Sequence, residues 1–121
     1  MPPPLAPFSP PLCRCSGGIF AYDLTSGNLS YPEFMWYWNT SYVHDLTVAK
    51  CEDSYILFAA LIYDDEVVVL NVTDPTVPPV ELNRWSGRQG LSHNVWPDKT
   101  CKVGLLSLLW VLVGYYMGQG E

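Results

Sequence analysis

Positive charge is scarce in this 121-residue chain, where Lys and Arg together number 6 against 12 Asp and Glu. The basic residues Arg14, Lys50, Arg84, Arg88, Lys99 and Lys102 are scattered. No basic surface therefore follows a nucleic-acid backbone, and nucleic acid is excluded as a partner. Catalytic motifs are also missing: the chain has no Gly-x-Ser-x-Gly elbow, no phosphate-cradling glycine loop and no His-Glu-x-x-His pair. Catalysis within this chain is accordingly not expected, and no cofactor is named by any motif. The first residues, Met1 to Leu12, lack the basic opening and proline-free apolar stretch of a signal peptide. With six prolines among the first eleven residues, residues 1–16 can neither nucleate helix nor join a sheet interior, and they read as a disordered Pro-rich tail.

What the chain does have points to β-structure in an oxidising compartment. Four cysteines (Cys13, Cys15, Cys51, Cys101) and three Asn-x-Ser/Thr triplets, at Asn28, Asn39 and Asn71, favour an extracellular or membrane-associated protein. Cys13 and Cys15 lie too close in sequence to pair comfortably. Cys51 and Cys101 occupy nearly equivalent places in successive repeats, but equivalence does not bring two Cα atoms within the ~7 Å that a disulfide requires, so the pairing stays open. Gly17 to Leu24 reads as a strand closed by the turn residues Thr25 to Asn28. Tyr31 to Tyr42 carries Phe34, Trp36, Tyr37 and Trp38, and rings packed between sheets are favoured over a carbohydrate platform.

Beyond it, four β-prone runs follow one another: Leu46–Ala49, Tyr55–Tyr63, Val67–Val72 and Val80–Trp85. Glu52-Asp53-Ser54, Asp64-Asp65 and Thr73 to Pro79 separate them. The two central runs are apolar throughout instead of alternating, which implies strands covered on both faces. Four short antiparallel strands with a doubly buried middle, about residues 46–85, are what one propeller blade needs. An internal repeat supports this. Ala21 to Gly27 matches Val69 to Pro75, aligning Asp23 with Asn71 and Thr25 with Thr73, and Tyr42 to Leu46 matches Leu91 to Val95, aligning His44 with His93.

Within that blade, Asp65-Glu-Val-Val-Val-Leu-Asn-Val-Thr-Asp-Pro-Thr-Val-Pro-Pro-Val80 resembles the LVIVP repeat, a propeller blade recognised by an apolar strand, an Asp-Val-Ser-Asp-Pro-like turn and a second proline. Here the turn reads Asn71-Val-Thr-Asp-Pro75. His44-Asp-Leu-Thr-Val48 and Ser92-His-Asn-Val95 are similar to the first strands of such blades, so the resemblance spans about residues 41–98. It implies the blade type and carries little about activity, since propellers host many functions. Asn71 stands where the phrase usually has Asp, at the end of a buried strand, which makes it a poorer glycosylation acceptor than Asn28 or Asn39.

His44-Asp45 and His93-Asn94 are the repeated polar pairs, placed to line a central channel at the start of innermost strands. They are the candidate metal ligands, weighed against hydrogen bonding from blade to blade. After Lys102 the chain turns to an uncharged apolar run, Val103 to Met117, expected as a helix that associates with membrane. Fifteen residues at ~1.5 Å each fall short of a ~30 Å hydrocarbon core. Lys99 and Lys102 would also hold the sheet on the cytoplasmic side, against the sequons and cysteines.

The expected fold is thus mainly β: an incomplete β-propeller with one four-stranded antiparallel blade and a C-terminal apolar helix. The expected division is a tail over 1–16, a propeller fragment over 17–100 and an apolar segment over 101–121. The expected role is a binding or structural module for a protein or other extracellular ligand. The alternatives are a small membrane-attached protein with a β-sheet ectodomain and a remnant of a metal-dependent enzyme.

Overall fold

A computed structural model describes residues 17–25, 27–86, 92–108 and 112–116, with side chains through Lys102. The described residues form nine strands: β1 (Ile19–Asp23), β2 (Glu33–Trp38), β3 (Asp45–Cys51), β4 (Ser54–Leu61), β5 (Glu66–Asn71), β6 (Val80–Ser86), β7 (Ser92–Pro97), β8 (Val103–Leu108) and β9 (Leu112–Tyr116). Each pairs antiparallel with its neighbour in sequence, giving a β1-β2 sheet, a β3-β4-β5-β6 sheet and a β7-β8-β9 sheet. The described residues contain no helix. The four-stranded sheet is the one expected over residues 46–85, and its hairpins turn where the sequence places them. Glu52 and Asp65 take the left-handed region at φ 59° and 53°, a conformation that Asp tolerates better than most side chains.

The apolar middle of this sheet is buried on both faces. On one face Ile56 and Phe58 of β4 and Val67 and Val69 of β5 pack with Val95 of β7 and Cys101. On the other, Leu57, Ala59 and Leu61 of β4 and Val68 and Leu70 of β5 pack with Ile19 of β1 and Trp36 of β2. Alternate residues of β4 and β5 therefore point to different neighbours, because side chains of a strand alternate between faces. A run covered on both sides has no polar position to spare, and this is why these strands read as continuous hydrophobic sequence.

The aromatic segment ending at Tyr42 supplies the β1–β2 sheet. Phe20 stacks on its cross-strand partner Tyr37 at 4.4 Å, and Tyr22 meets Phe34 edge-on at 5.6 Å. Buried Trp36 donates its indole N–H to the carbonyl of Pro75, 3.1 Å away in the loop after β5. These rings join strands and sheets, as packed rings do.

The helix expected over Val103 to Met117 is corrected by the structure within the described residues: Val103–Leu108 and Leu112–Tyr116 are strands, β8 pairing with β7 and β9 with β8. The rest of that stretch, residues 109–111 and 117, lies outside the described residues, as does the tail over 1–16. In the β7-β8-β9 sheet β8 holds the central place and β9 an edge. A strand covered on both faces and an apolar helix share one composition, and periodicity alone does not separate them. Among the described residues, no helix is long and apolar enough to cross a membrane.

Candidate functional site

The second and third sheets meet along β3 and β7. β3 is the first strand of the four-stranded sheet and β7 the first of the next, and the two pack against each other. Three pairs of residues that were aligned in the sequence join them. His44 and His93 face each other with their Nε2 atoms 2.9 Å apart. One residue on, the Asn94 amide donates to the Asp45 carboxylate. At the far end of β3, Cys51 and Cys101 form a disulfide with a Cα–Cα distance of 5.7 Å. The sequence aligned these residues as equivalents and left the cysteine pairing open; the structure brings each equivalent pair into contact.

The hydrogen bonds of this cluster run in one direction. A carboxylate only accepts, so the Asn94 Nδ2 must face Asp45, which leaves Asn94 Oδ1 as the acceptor for His93 Nδ1 at 2.9 Å. His93 then carries its proton on Nδ1 and offers a lone pair at Nε2, towards which His44 Nε2–H is directed. The other Asp45 oxygen accepts from the Leu46 backbone N–H at 2.8 Å. His44 is exposed, and Asp45, His93 and Asn94 are half-buried.

Two tyrosines that the sequence did not single out as site residues extend this row. The Tyr42 ring lies 6.1 Å from His44 and 5.5 Å from the Tyr63 ring, and Tyr63 is 78% exposed on the β4–β5 hairpin. The Ser41 hydroxyl donates to the Asp64 carboxylate between the same two loops. Nothing in a lone exposed tyrosine separates it from an ordinary surface residue, so only the fold shows the row. Among the described residues, no group of three or more His, Cys, Asp or Glu side chains gathers as a metal shell.

The other residues aligned in the sequence form turns. Asp23 Oδ1 accepts from the amide and hydroxyl of Thr25 at 2.7 and 2.6 Å. Asn71 Oδ1 does the same for Thr73 at 3.0 and 2.6 Å, as the sequence alignment of these pairs implies. Asp98 and Thr100 repeat the motif after β7. The Thr25 hydroxyl, followed by its amide, holds the Asp23 carboxyl below the usual aspartate value. The sequon asparagines sit as their loops dictate: Asn28 and Asn39 are exposed, whereas Asn71 is half-buried at the end of β5.

Mainly β structure in stacked antiparallel sheets is thus the class that the architecture defines. Comparison with protein-family models, with curated proteins and with solved structures found no match.

Proposed function

We propose that the chain is part of an extracellular-type β-propeller built from LVIVP-like repeats, in which it serves as a binding or structural module. The observation that carries this reading is the junction between sheets. His44 meets His93, Asp45 meets Asn94, and Cys51 bonds Cys101, so one unit is packed on the next, sheet against sheet, as the blades of a propeller are. The disulfide and the exposed sequons at Asn28 and Asn39 support an extracellular setting.

A second feature agrees with the same reading. Leu46 and Val48 pair with Ala59 and Leu57, so they lie on the face covered by the β1–β2 sheet, yet they are 42% and 50% exposed. That sheet has two strands where the next has four, and it does not reach over β3. In a propeller, two inner strands of the preceding blade would cover this position.

The repeat alignment supplies a test. Asp23 corresponds to Asn71, so Gly17 corresponds to Asp65, and a second copy of residues 42–64 placed directly before Gly17, in place of residues 1–16, would complete the first sheet. The extended chain is expected to unfold at a higher temperature than the original chain and to bind less of a hydrophobic dye. An extended chain with an unchanged midpoint and unchanged dye binding would refute the propeller reading.

A further inference from the structure

We infer that the facing Nε2 atoms of His44 and His93 form a two-histidine site for a divalent transition-metal ion that prefers tetragonal or octahedral coordination, held across β3 and β7. The argument begins with the spacing. Imidazole nitrogens bind such ions at about 2.0–2.1 Å, so two nitrogens at 90° on one ion stand about 2.9 Å apart, whereas a tetrahedral ion spreads them to about 3.3 Å. The observed separation is 2.9 Å, which is that of a cis pair and equally that of the N–H···N hydrogen bond the ion would replace. Square-planar or octahedral nitrogen and oxygen sites belong to ions such as Cu²⁺ and Ni²⁺.

Ring orientation adds to this. The two ring centroids are only 4.3 Å apart with an interplanar angle of 59°. Rings meeting end to end at this nitrogen spacing would have more distant centroids, so these two are canted. Canting bends an N–H···N hydrogen bond out of line and weakens it.

The surroundings also suit a ligand pair. A metal-binding imidazole usually donates its second nitrogen to a fixed acceptor that sets its tautomer. His93 Nδ1 does so to Asn94 Oδ1, and Asn94 is anchored in turn on Asp45, itself held by the Leu46 amide. His93 Nε2 thus presents its lone pair without any change. His44 needs only to move its proton from Nε2 to Nδ1, so the ion replaces the hydrogen bond between the rings, and both ligands stay neutral. Water completes the shell, since His44 is exposed. The Cys51–Cys101 bond ties the two strands at their other end and limits how far the rings can part.

The test uses the full chain with its disulfide intact, stripped with a chelator and titrated with Ni²⁺, Zn²⁺ and Cu²⁺ at pH 7.5. One Ni²⁺ per chain is expected, bound more tightly than Zn²⁺. His44→Gln and His93→Gln should each weaken it tenfold or more while circular dichroism and the thermal midpoint in the absence of metal stay unchanged. Electron paramagnetic resonance of the Cu²⁺ form should show two coupled nitrogens in the wild-type chain. Binding that survives both substitutions places the ion elsewhere and overturns the inference, as does the absence of saturable binding. Zn²⁺ binding more tightly than Ni²⁺ overturns the cis geometry. Should a variant fail to fold, the nitrogen count on the wild-type chain decides alone, and fewer than two nitrogens refutes the site. The site rests on the juxtaposition of β3 and β7, so its failure leaves the propeller reading standing.

Discussion

At the tip of the β4–β5 hairpin, Asp65 turns the chain with φ 53° and lends Oδ1 to both the amide and the hydroxyl of Ser92, at 3.0 and 3.2 Å. Ser92 is fully buried, so without Asp65 two of its polar groups lose their partner in a place that water does not reach. Asp65→Ala is expected to cost about 2–3 kcal/mol, from orphaned donors and left-handed strain together. Asp65→Asn keeps the oxygen and tolerates the turn, and should cost less than about 1 kcal/mol. Denaturant unfolding of the two variants distinguishes them, and equal losses would contradict the role given to Oδ1. Asp74 offers a pH test of the turns. The Thr76 hydroxyl, and after it the Thr76 amide, hold its carboxyl below the usual aspartate value. Its folded pKa lies below its unfolded one, so the turn's contribution is complete above the unfolded value and disappears as pH falls through the folded value. Carboxyl-carbon NMR titration should give Asp74 a lower midpoint in the folded chain than in urea; coincident midpoints would refute the assignment.

β4 and β5 show what a strand gains from two covered faces. Phe58 is 1% exposed among Ile56, Val67, Val69 and Val95, and Phe58→Ala is expected to cost about 3–5 kcal/mol through lost burial and the cavity left behind. Val48, on the face of β3 that the first sheet does not reach, should lose less than about 1 kcal/mol on the same change. Urea unfolding of both variants measures the contrast, and similar losses would mean that the open face of β3 is in fact packed. The same logic explains the C-terminal correction. Val103 to Met117 and Tyr55 to Tyr63 are both uncharged and apolar, but Asp64-Asp65 closes the second as a short run, whereas no such pair divides the first. Without that punctuation the C-terminal run has the length of a helix, and the pairing of β8 with β7 and of β9 with β8 is what shows strands there.

At the scale of the whole molecule, the described residues form three antiparallel sheets, and a disulfide between residues 50 apart in sequence ties the second sheet to the third. Closing a loop of that length removes unfolded-state entropy worth about 4 kcal/mol, of which real disulfides deliver about 2–4. Reduction, or Cys51→Ser, is therefore expected to lower stability by about 2–4 kcal/mol. Thermal unfolding with and without reductant checks this, and an unchanged midpoint would show that the bond is absent in solution. The sequence by itself determined the β class, the four strands of the middle sheet and its doubly buried centre. Those features follow from local pattern: continuous hydrophobic runs and turn chemistry. Only the tertiary structure decided that His44 meets His93 and Asp45 meets Asn94, that Cys51 bonds Cys101, that Asp65 holds Ser92, that Tyr42 and Tyr63 extend the histidine row and that β3 keeps an open face. Such contacts depend on how one sheet is set upon another, and that placement comes from side-chain packing between residues far apart in the chain, which no local pattern records.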